Sequence, residues 1–362
     1  MAGQETLMPT LTPDRIVAIS RELLKAAGAP DGHATTVARH LADANLAGHD
    51  SHGFIRIPQY LREIREGVID PKGEPTVLTE RAGTAQVDGG ATFGQVVGVF
   101  ALDLAVKKAL QSGISFVSMR NLAHTGRIGT YPEMAAKQGM AAIMFTSFVG
   151  GEKSGISVAP FGGTRRKMGT NPMSMGFPHA DGRPILMDFA TSMAAEGKLR
   201  VYRAKGEELP DAWVLSKDGV PSRDPNDYYD GGSLLPMGGL QGGYKGYVLA
   251  FMVSLFGSIM GELGDPHDLD AKVSGGSSII VLDVGGMAPI KDVQGQVQEM
   301  VRYMKDTPPM KGADGVLYPG EIEERTRQQR LAEGVFVADS TWELIADLIR
   351  EHGLEAELVA HM

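Results

Sequence analysis

Apolar residues recur at helical spacing near both ends of the chain and gather into short unbroken runs between them. Thr12-Pro13-Asp14 offers a cap and a proline at the first helical position. Ile16, Ile19, Leu23 and Leu24 then form one stripe that Gly28 closes. A second helix is predicted over about 33–47, with Val37, Leu41 and Ala44 on its apolar face, and a third over 58–66, ending at Gly67. From 71 to 90 the pattern breaks into short extended pieces and turns. Helices over 93–111 and 131–138 then alternate with strands over 114–119 and 141–148, and the runs 185–189 and 278–284 read as buried strands. The apolar segment 247–260 is interrupted by Ser254, Gly257 and Ser258 and reads as a buried helix. It is shorter than the roughly 20 residues a bilayer span requires. Helices return over 292–305, over a charged stretch at 321–333, and over 341–351. The alternation predicts an α/β fold in three parts: a helical region over 1–80, an α/β region over 81–290, and a helical region over 291–362, open to packing on the first.

Composition narrows the function. With 362 residues, 43% hydrophobic and 22% charged, the chain can bury one large or two ordinary cores. A net charge of -9 argues against phosphate-backbone binding, so no nucleic-acid partner is expected, and an anionic substrate needs local cations. There are 0 cysteines, which excludes thiolate nucleophiles and thiolate metal sites and fits a reducing cytoplasm. Residues 1–12 lack the basic and apolar blocks of a signal peptide, and no membrane partner is expected. Glycine is frequent, at 47 residues, and pairs such as Gly89-Gly90, Gly150-Gly151, Gly162-Gly163, Gly238-Gly239 and Gly242-Gly243 suggest backbone wrapped around a ligand.

Four stretches could carry chemistry. In Asp50-Ser51-His52-Gly53-Phe54-Ile55-Arg56, a helical turn would place His52 and Arg56 on one face. Arginine offers a fork to a carboxylate, and histidine a proton to the adjacent carbonyl. The plain alternative is a helix cap at Ser51 with two surface polar residues, and His49 with His52 could instead begin a metal site. Asn121-Leu122-Ala123-His124-Thr125-Gly126 follows a strand's C-terminal end, where α/β proteins place ligands, although His124 could equally be a loop residue bonded to its own turn. Asp188-Phe189-Ala190-Thr191-Ser192 ends an apolar run and suits either a cofactor contact or a helix cap. Gly242-Gly243-Tyr244-Lys245-Gly246 opens a helix with backbone donors and a lysine, a phosphate-type site or a connector with a solvated lysine. No Gly-x-Gly-x-x-Gly, Walker or Gly-x-Ser-x-Gly pattern occurs.

Taken in order, these stretches with Gly169-Thr170-Asn171-Pro172, Leu235-Pro236 and Tyr318-Pro319-Gly320-Glu321 resemble the non-Rossmann malate/L-lactate dehydrogenase family, which includes sulfolactate, ureidoglycolate, diketogulonate and piperideine-carboxylate oxidoreductases. The resemblance implies an α/β fold with a central mixed-sheet cofactor domain, a helical domain from the two ends, a homodimer, and NAD or NADP as cofactor. It implies His52 as proton donor, with His124 as the acid/base in some members. Ser51, Arg56 and Thr170 would meet substrate, and Asp188, Phe189, Ala190, Thr191, Ser192, Tyr244, Lys245, Gly320 and Glu321 would meet cofactor. Asp188 is also a candidate partner for a catalytic histidine, and no metal is implied. The polar stretch 203–230, with Trp213 and Tyr228-Tyr229, reads as an insertion, either a surface loop or a neighbour of the substrate mouth. The rival reading is a metal-assisted hydrolase or lyase built on His49 and His52.

Overall fold

The computed structural model describes residues 10–148, 156–261 and 275–354, so the Gly150-Gly151 pair and most of the N-terminal 12 residues lie outside the described residues. The chain begins with β1 (Thr10–Leu11), α1 (Pro13–Ala26) and α2 (Asp31–Leu46). Two single 3-10 turns, Asp50–His52 and Phe54–Arg56, lead into α3 (Ile57–Arg65). The body follows with β2 (Thr76–Glu80), β3 (Thr84–Asp88), α4 (Gly94–Ser112), β4 (Ile114–Arg120), α5 (Thr130–Lys137), β5 (Met140–Phe148), β6 (Met173–Phe177) and β7 (Ile185–Phe189). A small unit holds α6 (Glu196–Lys205), β8 (Val214–Leu215), β9 (Pro221–Ser222), α7 (Pro225–Tyr229) and β10 (Ser233–Leu234). Then come α8 (Gly239–Ser254), which runs on as a π turn at Leu255–Ile259, β11 (Gly275–Asp283), α9 (Ile290–Lys305), α10 (Glu321–Glu333), β12 (Val335–Phe336) and α11 (Asp339–Glu351).

The main sheet has seven strands in the order β2-β3-β4-β11-β5-β6-β7. β3 and β4 pair in parallel, and the other neighbours are antiparallel. It is therefore a mixed sheet, unlike a doubly wound one. β11 sits at its centre, with Ile279 opposite Val117 on one side and Met144 on the other. Its residues and those of β4 and β5 are largely buried, as both-face coverage demands. Val97, Ala101, Ala105 and Ala109 of α4 and Tyr131 and Ala135 of α5 pack on Val117, Met119, Met144, Ile279 and Val281. The small residues along α4 let that helix lie close to the sheet.

A second core joins the two ends of the chain. Ile16, Ile19, Leu23 and Leu24 of α1, with Val37 and Leu41 of α2, meet Ile345, Leu348 and Ile349 of α11. β1 pairs with β12 at the rim of this core. α9 does not join it: Gln294 reaches the His179 carbonyl instead.

Two sequence expectations are corrected. The apolar segment over 247–260 is not a buried helix: Val248, Phe251, Met252, Ile259 and Met260 are exposed, as are Leu240 and Tyr244 earlier in α8. The polar interruptions face inward. Ser254 accepts a hydrogen bond from Asn171, and Ser258 pairs with Ser147 at 2.7 Å. Spacing reveals that a stripe exists, not which way it points. The 203–230 stretch is not a loose surface loop. It packs Leu209, Val214 and Tyr228 with Leu199 and Leu234, and Trp213 closes on Tyr202.

Candidate active site

The loop between α2 and α3 is built to hold one shape. Asn45, at the buried end of α2, donates from Nδ2 to Asp50 at 2.7 Å and accepts from the Phe54 N–H at 2.8 Å. Gly53 leaves room for it, because a Cβ there would lie 2.2 Å from Asn45 Oδ1. Arg330 of α10 clamps the turn from outside, reaching Asp50 at 2.6 and 2.9 Å and the Asn45 carbonyl at 2.5 Å. Two short turns result, broken at Gly53 (φ -96, ψ -145). His52 and Arg56 thus do not share one continuous helical face, contrary to the expectation from their spacing. They remain electrostatic neighbours: burial and then the Arg56 charge hold His52 down to about 3.

Each polar group here has a defined partner. Ser51 Oγ lies 2.9 Å from His52 Nδ1. Arg56 donates from Nε to the Ser51 carbonyl at 2.5 Å and from one terminal nitrogen to Gln59 at 2.6 Å. The guanidinium is therefore aimed by its own turn and by α3. Gly197, at the start of α6, approaches Ser51: a Cβ on the glycine would sit 3.4 Å from the Ser51 Cβ. The small unit therefore borders the mouth of the site.

The second histidine arrives from the sheet. The loop after β4 is drawn down onto α4, where Gly94 is required because a Cβ would lie 2.4 Å from the Ala123 carbonyl oxygen. His124 stacks on His52 with ring centroids 5.5 Å apart and planes at 22°. Its Nδ1 lies 2.8 Å from the Tyr60 hydroxyl, which in turn takes a hydrogen bond from Gln95 at 2.7 Å. Burial, then the charges of Arg56 and His52, hold His124 well below the usual histidine range. Both imidazoles are neutral at pH 7, side by side next to a guanidinium.

Beneath the His124 loop lies a charge network. Arg127 is 2% exposed, which makes its partners decisive. It reaches Glu133 at 3.0 Å, Asp43 at 3.4 Å and Asp188 at 3.4 Å, while Arg327 of α10 spans Asp43 at 2.6 Å and Glu133 at 3.4 Å. Asp188 also accepts from the Gly129 N–H at 3.1 Å. Its hydrogen-bond and ion-pair partners are thus Gly129 and Arg127, not either stacked histidine, which corrects the expectation of a histidine–aspartate couple. Burial pushes Asp188 up against the Arg127 charge.

The remaining sequence candidates fall in several places. Thr191 is occupied within its turn, its hydroxyl donating to the Thr170 and Asn171 carbonyls at 3.0 and 2.9 Å. Ser192 donates to the Ala194 carbonyl, and Phe189 is exposed. Thr170, partly exposed, faces Thr191 through its backbone. Tyr244 and Lys245 are exposed on the first turns of α8, and no contact joins them to the histidine stack among the described residues. A cavity of about 280 Å³ lies at the start of α8, lined by Phe161, Thr164, Leu215, Pro221, Gly239 and Leu240 among others. Gly320 is held in the left-handed region beside Leu186, and Glu321 is buried under Lys305 and Arg325 at 2.7 and 2.6 Å. Among the described residues no group of three or more histidine or acidic side chains is placed to hold a metal, and His49 faces Glu323 at 3.6 Å.

Residues 11–346 match the malate/L-lactate dehydrogenase family. The chain belongs to that family. It is 33% identical to a malate dehydrogenase of Pyrococcus abyssi over 94% of both chains, and 35% identical to hydroxycarboxylate dehydrogenase B of Escherichia coli over 91% of both. Its structure is similar to a crystal structure of malate dehydrogenase from Entamoeba histolytica, with a TM-score of 0.90 at 27% identity, covering 96% of this chain and 98% of that one. Membership makes the chain an oxidoreductase of the hydroxy-acid class, with the mixed α/β architecture of that family.

For a malate/L-lactate dehydrogenase family member, the supports of the site are what the sequence concealed. Tyr60 sits in the apolar stripe of α3 with Ile57 and Leu61, so it reads as core; its one signal is a phenol among aliphatics. Gln95 stands on the buried face of α4. Arg127, Asp43 and Arg327 come from three separate elements and meet only in the fold. No spacing rule links them.

Proposed function

We propose that this dehydrogenase moves hydride between NADH or NADPH and C2 of a small 2-oxo or 2-hydroxy acid of malate or lactate type, or of a related cyclic imine carboxylate. The observation that carries the reading is the stack of two neutral imidazoles beside Arg56, bordered by Ser51 and the start of α6. Arg56 would hold the carboxylate, which sets the neighbouring carbonyl carbon and oxygen against the rings. Arriving carboxylate charge raises the proton affinity of His52, so that the ring would take up a proton from solvent and pass it to the oxygen in reduction, and take it back in oxidation. Ser51 orients His52 through Nδ1.

The chain has features that fit a nicotinamide dinucleotide. α8 is 16 residues long, starts at Gly238 in the left-handed region without a side-chain cap, and opens on the cavity at Gly239 and Leu240. Such a helix start attracts phosphate, and Lys245 lies nearly two turns further on. When bound, the nicotinamide supplies or accepts the hydride. Tyr244 and Lys245 would meet the phosphates or ribose, and Asp188–Phe189 with the turn that follows would meet other parts of the cofactor. Gly320 would act through the β7 edge it touches. We propose no metal role, since His49 is engaged by Glu323.

The exposed apolar stripe of α8 also supports a homodimer, with a second copy covering Val248, Phe251 and Met252. Light scattering should give a dimer mass that Phe251→Glu lowers; a wild-type monomer would remove this part. The function itself is tested with a panel of 2-oxo acids and cyclic imines, each assayed with NADH and NADPH side by side. Oxidation of the cofactor by at least one of them is expected. Failure with all of them contradicts the proposal.

A further inference from the structure

Tyr60 is 1% exposed and rests edge-on against Phe93. Its hydroxyl has one proton and two lone pairs. Gln95, fully buried, donates from Nε2 to that oxygen at 2.7 Å. The other polar neighbour is His124 Nδ1 at 2.8 Å. Gln95 approaches as a donor, so among the described contacts His124 Nδ1 is the acceptor left for the Tyr60 proton, and we assign that direction to the contact. A ring nitrogen that accepts carries no hydrogen, so a neutral His124 holds its proton on Nε2. Burial pushes the Tyr60 phenol up, which keeps its proton in place.

We propose that Tyr60, oriented by Gln95, is a positioning residue that locks His124 as the Nε2–H tautomer, so that His124 presents a fixed hydrogen-bond donor to an oxygen of the acid substrate. The substrate half of this statement rests on the function proposed above; the lock does not. His52 has no equivalent. Its Nδ1 faces Ser51 Oγ, and a hydroxyl can donate or accept with equal ease. The His52 ring can hold its proton on either nitrogen and change it during turnover. The two rings therefore divide the work: His124 binds an oxygen, and His52 moves the proton.

The test is two-bond nitrogen–proton NMR on the full-length protein labelled with nitrogen-15 histidine, with His124 assigned from the signals lost in His124→Gln. At pH 7 the wild type should show His124 Nε2 protonated and Nδ1 bare. Tyr60→Phe, which removes only the hydroxyl, should bring the second tautomer into the spectrum. It should also raise KM for an accepted 2-oxo acid roughly fivefold, the loss of one neutral hydrogen bond, with cofactor affinity unchanged. A wild-type His124 protonated on Nδ1 overturns the lock, whether or not the variant folds. So does an unchanged tautomer in folded Tyr60→Phe. If the lock is present but no acid or imine is reduced, the functional reading fails and the substrate half falls with it.

Discussion

The two stacked histidines differ in how the protein holds them. His124 is fixed from below by a buried tyrosine and glutamine, on a loop underpinned by Arg127. His52 sits on a short turn pinned at its ends by Asn45 and Arg330, with one hydroxyl against its ring. One side is rigid in its hydrogen bonding, and the other is rigid only in its backbone. Proton exchange belongs on the side whose hydrogen bonds can reverse. Recognition belongs on the side whose bonds cannot.

Substitutions can break this comparison. His52→Ala should produce the largest loss, lowering kcat by roughly 10²–10⁴-fold while NADH or NADPH still binds, as cofactor fluorescence would report. Unchanged turnover would take His52 out of the mechanism. Arg127→Met should instead fail through stability, by about 3–5 kcal/mol in a denaturant titration, because Asp188 would be left buried without its cation. A loss under 1 kcal/mol would show that the His124 side does not depend on that network.

His40 sharpens the same contrast through pH. Burial holds it down to about 4, against an ordinary value of 6.5. The unfolded chain therefore takes up a proton at this position before the folded one does. Stability from His40 is present above about pH 6.5 and is lost as pH falls toward 4, to the extent of about 3 kcal/mol. His40→Phe should lessen the fall in Tm between pH 7 and 5, to which His52 and His124 also contribute; an unchanged fall would remove His40 as one of its sources. Arg56→Lys should be the mildest, raising KM for the acid about tenfold through loss of the fork and leaving cofactor affinity alone. A change confined to cofactor affinity would reassign Arg56.

The fold was legible where a stripe or run had one physical reading. The α1 residues Ile16, Ile19, Leu23 and Leu24 are all buried, and the run at β4 is a central strand. Legibility failed at α8, where apolar residues face outward and serines face in, because the buried side is set by what Asn171 and Ser147 need. β6 escaped too, since Met173-Ser174-Met175-Gly176-Phe177 lacks the branched and aromatic content of a typical strand. In the site, His52, Arg56 and His124 were visible as chemistry in loops. Tyr60, Gln95 and Arg127 were hidden, because a polar tip inside an apolar helix face looks like core until its partner arrives from another element.

The central claim is most directly tested by following the hydride itself. Cofactor carrying deuterium at the transferred position of C4 should place that deuterium on C2 of the 2-hydroxy acid formed from an accepted 2-oxo acid, or on the corresponding carbon of a reduced cyclic imine. Turnover of such substrates without deuterium at that carbon would contradict the account.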